Sequence, residues 1–218
     1  MTESKSASEH VHKIISVLKS EYPLAKYYLT FSNTLELMVA AILSPQVRDE
    51  IVNEATKELF KKYKTAEAYA ESSLAELESF VKNITFYKNK AKNIQGACKM
   101  LLEKHDGKVP DDMDNLIALP GIGRKTAIAI LLNGFGKVLG IPVDTHVIRV
   151  GYRLGLTKNR NPDKIEKDLM EIISKEDWKK ISYLLKDHGR NVCRAPVPLC
   201  SKCALQKICP KNGVEKES

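Results

Sequence analysis

Apolar residues recur at helical spacing along almost the whole chain. Val11, Ile14, Ile15 and Leu18 form a first stripe that stops near Pro23. Asn33 followed by Glu36 predicts a capping box ahead of Leu35, Met38, Val39, Ile42 and Leu43, and Ser73 with Glu76 predicts another ahead of Leu74, Leu77, Phe80 and Val81. Ile51, Val52, Ala55, Leu59 and Phe60 give a helix between these two. Ala91, Ile94, Cys98, Leu101 and Leu102 stripe a further one, closed by Gly107. Later stripes run through Val147, Val150 and Leu154, through Ile165, Leu169 and Ile172 behind Pro162, and through Trp178, Ile181, Leu184 and Leu185 up to Gly189. Gly140 and Pro142 make the run Val138 to Val143 a buried connector rather than a strand. No internal repeat interrupts the pattern, and the expected fold class is all-α.

Composition narrows the partners. The 218 residues suffice for one domain or two small lobes, and 35 Lys+Arg against 27 Asp+Glu leave a net charge of +8, which suits a polyanion. The stretch Met1 to Glu9 is polar and lacks a signal peptide's apolar core, and no apolar run reaches membrane-spanning length. An intracellular protein is expected, in the cytoplasm or nucleoid if the source is prokaryotic, and there cysteine clusters hold metal more often than they form disulfides. No glycine-rich nucleotide loop is present, so no nucleotide cofactor is expected.

The segment Leu119-Pro120-Gly121-Ile122-Gly123-Arg124-Lys125-Thr126-Ala127 carries the strongest signal. A short helix from Asp112 is broken by Pro120-Gly121, and Gly121 and Gly123 permit a tight turn with positive φ. The run Thr126 to Leu132 then resumes as a helix that is apolar all round and hence buried. A glycine turn opening a helix points bare N–H groups outward, where a phosphate can sit. Such a helix-hairpin-helix grips the DNA backbone without reading sequence. Arg124 and Lys125 fall in the first turn of its second helix. There the helix dipole, with burial added, favours the neutral amine that Schiff-base chemistry needs; a simple phosphate contact is the other reading of Lys125.

Val143-Asp144-Thr145-His146-Val147 places Asp144 at the N-cap of the Val147, Val150, Leu154 helix. A carboxylate fixed there can stabilise a cationic sugar and help an amine shed its proton, and capping is compatible with that role. His146 reads first as a surface or packing histidine. Cys193, Cys200, Cys203 and Cys209 are spaced C-x6-C-x2-C-x5-C within the last 26 residues. Four thiolates so close in sequence can hold either zinc or a [4Fe–4S] cluster. Arg190, Arg194 and Lys202 lie beside or within that loop, and Cys98 on its apolar stripe reads as a core residue.

The hairpin lysine, the downstream Asp-Thr-His and the cysteine spacing together resemble the endonuclease III branch of the helix-hairpin-helix (HhH-GPD) DNA glycosylases, over nearly the whole chain. The resemblance implies a six-helix barrel lobe at 28–138 and a second helical lobe from both chain ends, 1–27 and 139–218. It implies an active site in the cleft between the lobes and a [4Fe–4S] cluster on Cys193, Cys200, Cys203 and Cys209. It further implies a bifunctional glycosylase and abasic-site lyase of base excision repair. A flipped oxidised pyrimidine would be released by attack of Lys125, with Asp144 as the catalytic aspartate, and β-elimination would cleave the strand. Gln46, in Ser44-Pro45-Gln46-Val47-Arg48-Asp49, matches the residue that enters the gap left by the base. Phe86, in Ile84-Thr85-Phe86-Tyr87-Lys88, matches an apolar wedge that is often aliphatic in relatives. Gly121, Gly123, Arg124, His146 and Arg194 are the remaining expected DNA contacts. The expected partner is double-stranded DNA carrying damaged bases or abasic sites, met by a monomer and without a membrane. The alternatives are a same-fold glycosylase for another damaged or mismatched base and a non-catalytic DNA-binding module.

Overall fold

The computed structural model describes residues 2–218, with side chains from Glu9 onward, so the reading of Met1 to Ser8 as a polar end lies, at Met1 and at the side chains of residues 2–8, outside the described residues. Eleven α-helices follow in order among the described residues: α1 (Thr2–Glu21), α2 (Thr34–Leu43), α3 (Asp49–Lys62), α4 (Ala66–Glu71), α5 (Leu74–Val81), α6 (Tyr87–Lys104), α7 (Met113–Ala118), α8 (Arg124–Phe135), α9 (Thr145–Arg153), α10 (Pro162–Ile172) and α11 (Trp178–Asn191). Single 3-10 turns occupy Lys175–Asp177 and Cys200–Lys202, and the described residues contain no strand. The all-α expectation holds. The chain divides into two compact units, one of Tyr28–Leu139 and one of Met1–Tyr27 with Gly140–Ser218.

In the unit Tyr28–Leu139, α2 is buried on every side from Glu36 to Leu43 and packs on α3, α6 and α8. The apolar run of α8 is buried as expected, from Ala127 to Leu132. Small residues let α2 and α8 approach: a Cβ on Gly134 would come within 3.0 Å of Leu37 Cδ2. The Asn33 cap is real, Glu36 N donating to Asn33 Oδ1 at 2.9 Å, but Glu36 returns the bond to Ser32 N at 2.7 Å, one residue early. The second predicted box does not form. Ser73 makes no side-chain cap, and the Glu76 carboxylate, engaged by Lys62 and by Tyr63 Oη, does not reach back to close the box. Helix α4 was not legible in the periodicity, since six residues are too few to show it; Thr65 caps it at Ala68 N (3.3 Å) and it packs on α6.

In the other unit α11 packs against α9 and α1 around Ile14, Leu18, Val147, Val150, Leu154, Ile165, Leu169, Ile181 and Leu185. Asn161 caps α10, with Pro162 in its first turn where no N–H is needed. The stripe of α10 ends on Ile173, 4% exposed, and not on Ile172, 40% exposed. The connector Val138 to Val143 contains no strand, but only its second half is buried; Leu139 is exposed, whereas Ile141, Pro142 and Val143 are buried.

Candidate functional site

The hairpin is built locally. Asp112 caps α7 by accepting from Asn115 N at 3.0 Å, and Leu119 closes it by donating to Leu116 O at 3.2 Å. Gly121 then turns at φ +81°, a conformation that side-chain-bearing residues resist. Space demands glycine there too, since a Cβ would lie 3.0 Å from Asn93 Cβ of α6. Gly123, expected to share the positive φ, instead stands at φ −96° because it is the extended N-cap of α8; nothing lies within 4 Å of where its Cβ would be. The turn is therefore open at Gly123, where the start of a helix offers N–H groups that the helix itself cannot satisfy. Arg124 and Lys125 are exposed in that same turn. The expected burial of Lys125 is not found: it is exposed, as are Gly123 and Arg124 beside it.

Two further loops of the same unit present side chains to solvent. Gln46 is exposed and stands at φ 60°; Phe86 is 61% exposed, stands at φ 59° and serves as N-cap of α6 without a side-chain bond. Lys90, one turn into α6, is buried and donates from Nζ to Leu43 O at 2.8 Å and Pro45 O at 2.6 Å. Desolvation pushes its pKa down to about 8. Sequence reasoning missed Lys90, because a lysine amid the polar positions of a helix reads as solvated.

In the other unit Asp144 caps α9, its Oδ1 accepting from His146 N at 2.8 Å and Val147 N at 2.9 Å. His146 is half-buried, its Nδ1 lying 3.2 Å from Arg149 Nη2. Burial first, then the Arg149, Arg190 and Lys186 charges, push its pKa down, while Asp144 opposes them.

The last turns of α9 hold the cysteine segment. Arg149 donates to Cys193 O at 3.2 Å and to Gly189 O at 3.0 Å. Arg153 is buried and donates to Arg194 O at 2.7 Å and Pro196 O at 3.1 Å, with Nη1 3.6 Å from Cys193 Sγ. Both arginines escaped the sequence reading, although their i, i+4 spacing on the helix begun by Asp144 was a usable signal. Arg194 is exposed, and its Nε folds back on Asn191 O at 3.0 Å. Cys193, Cys200, Cys203 and Cys209 are all free thiols and line one small apolar pocket with Leu154, Val192 and Leu199. As they stand, no three His, Cys, Asp or Glu among the described residues form a set that could hold a metal ion. The donor chemistry around the sulfurs nonetheless suits a thiolate-bound group: Arg153 points at Cys193 Sγ, Lys211 N lies 3.4 Å from Cys209 Sγ, and His188 Nε2 lies 3.6 Å from Cys203 Sγ. Cys98 is fully buried in α6, as expected of a core residue. No helix among the described residues is long and apolar enough to cross a membrane.

Residues 39–175 match the model of the HhH-GPD superfamily of base excision DNA repair proteins. The chain is 45% identical to Endonuclease III of Synechocystis sp. over 94% of each chain, and 46% identical to Endonuclease III of Bacillus subtilis over 90% of this chain and 89% of that one. It is similar, with a TM-score of 0.89 and 40% identity over 94% of this chain and 96% of the other, to an Endonuclease III solved as a trapped covalent intermediate with DNA. With its glycine hairpin, its N-cap aspartate and this likeness along nearly its full length, the chain belongs to the endonuclease III branch of the HhH-GPD base excision DNA repair proteins.

Proposed function

We propose that Lys125 is the nucleophile and Asp144 the catalytic carboxylate of a bifunctional DNA glycosylase and abasic-site lyase that removes oxidised pyrimidines. The observation that carries this reading is an exposed lysine in the first turn of α8, directly behind an open glycine turn, in a chain 40% identical to an Endonuclease III that was trapped covalently on DNA.

The chain grips DNA by its backbone: a phosphate accepts from N–H groups at the open Gly123 turn, and Arg124 adds charge. The damaged nucleotide leaves the stack, with Gln46 filling the gap and Phe86 wedging from the second loop. Lys125 Nζ attacks the sugar C1′, forming a C–N bond as the bond from C1′ to the base breaks. The base departs with a proton, and positive charge on the sugar is met by the Asp144 carboxylate, which its two N–H bonds hold in one orientation. The nitrogen lone pair then breaks the C1′–O4′ bond, O4′ takes a proton from water, and an iminium joins Lys125 to the opened sugar. Water takes a C2′ proton as the C3′–O3′ bond breaks, so that the 3′ phosphate leaves and the strand is cut; hydrolysis of the imine then frees the amine. His146 and Arg194 are the further DNA contacts of this reading, Arg194 from the cysteine segment. We assign a [4Fe–4S] cluster to Cys193, Cys200, Cys203 and Cys209. Bound there, the cluster supplies a cross-link that fixes the segment, and it takes no part in bond breaking.

The test is a paired time course on duplex DNA containing thymine glycol, following free base and strand nicks together. Equal rates for both are expected. Base release without nicking leaves Lys125 a phosphate contact and makes the chain a monofunctional glycosylase. Activity confined to a mismatched normal base moves the substrate to the same-fold alternative.

A further inference from the structure

Gln46 and Phe86 lie 40 positions apart, yet one residue is bonded to the immediate surroundings of both. The Lys90 amide donates to Phe86 O at 3.1 Å, opening the hydrogen-bond ladder of α6, and its side-chain amine donates to Pro45 O at 2.6 Å and Leu43 O at 2.8 Å. We propose that Lys90 is a positioning residue that holds the Gln46 and Phe86 loops as one base-flipping device, a role that rests on the reading of those two side chains as gap filler and wedge.

The need for such a residue follows from the chain around Gln46. Helix α2 ends at Leu43, and its last carbonyls have no partner one turn on. Pro45 has no N–H to offer, and Val47 N bonds back to Ser44 O at 3.0 Å rather than to Leu43. A lysine amine carries donors enough for both orphan carbonyls, and its stem crosses buried space that a shorter polar side chain would leave empty. Gln46 and Phe86 both adopt left-handed backbone, at φ 60° and φ 59°, which residues with side chains hold only where the surroundings over-determine it. At Gln46 the bonds to the carbonyls before it supply that constraint; at Phe86 the first bond of α6 does. The same helix reaches the hairpin two turns on, where Asn93 lies against Gly121 and Gly96 against Pro120. Helix α6 therefore sets the spacing of all three loops of this unit that face DNA in the proposed function.

The experiment measures single-turnover strand cleavage on two substrates. One is thymine glycol paired in a duplex. The other is an abasic site in a bulge, which has no base to extrude and no gap to fill. Lys90→Met is expected to slow the duplex reaction about tenfold or more, because extrusion must overcome stacking that the fillers compensate, while bulge cleavage changes less than about threefold. Gln46→Ala should show the same split, and Lys90→Arg, which keeps two donors, should retain most of the duplex rate. Should Lys90→Met fail to fold by circular dichroism, Lys90→Gln replaces it, with the same split expected. Equal losses on both substrates, or none on either, overturn the positioning role. A split for Lys90→Met that Gln46→Ala lacks overturns it as well. Wild-type protein inert on both substrates would instead sink the glycosylase and lyase reading itself.

Discussion

Arg153 reaches from the last turn of α9 to the carbonyl of Arg194, Nη1 to O at 2.7 Å, from a position that is 7% exposed. The helix that begins with the proposed catalytic carboxylate thus ends by holding the cysteine segment. A buried guanidinium is tolerated because carbonyls surround it, and those carbonyls lose their donor if it is removed. Arg153→Leu should cost about 3 kcal/mol of stability and lower iron content after reconstitution. Lys cannot reproduce the fork and should recover only part of the loss. Thermal denaturation and iron quantification check both.

Asp144 allows capping and chemistry to be separated. Asn is an equally good N-cap, so Asp144→Asn should melt close to wild type, whereas Asp144→Ala should lose about 1 kcal/mol. Both remove the fixed charge and should lower base excision by about a hundredfold or more, the size of one electrostatic catalytic group. An Asn variant of normal activity would reduce Asp144 to a cap.

Gly121→Ala forces a side chain into φ +81° and against Asn93. The left-handed backbone alone costs about 1–2 kcal/mol. Affinity for undamaged DNA should fall by the same factor for unrelated sequences, because a phosphate site carries no sequence information. Melting curves and filter binding on two sequences read the outcome.

Lys90 gives stability a pH dependence of known sign. Burial lowers its pKa from 10.5 to about 8. Between these values the unfolded chain binds the proton and the folded chain does not, so stability rises with pH across that window. Below about 8 both states are protonated and the full cost of burying the charge remains. Relative to Lys90→Met, wild type should gain at most ~3 kcal/mol between pH 8 and 10.5 in denaturant titrations, and a flat difference would contradict the burial argument.

What the sequence made legible follows the range of the interactions. The hairpin, the Asp144 cap, the Asn33 cap and the Pro162 helix start are set within four residues, and each stands where local chemistry places it. Glu76 failed to close the box with Ser73 because its carboxylate found Lys62 and Tyr63, partners that local spacing does not reveal. Lys90, Arg149 and Arg153 were missed for the same reason: their acceptors lie 40 or more positions away in sequence. Long polar side chains read as solvated until the fold shows the carbonyls they meet. Lys125 errs in the other direction, since its neighbour Ala127 is buried while Lys125 itself is exposed.

In the proposed reaction Lys125 bonds to the sugar C1′. Borohydride reduction during turnover on thymine glycol duplex, comparing wild type with Lys125→Gln, tests it most directly. A protein–DNA adduct stable to denaturation is expected for wild type and none for the variant, with both proteins folded and equally loaded with iron. An adduct of undiminished yield in Lys125→Gln would contradict it and place the Schiff base on another amine.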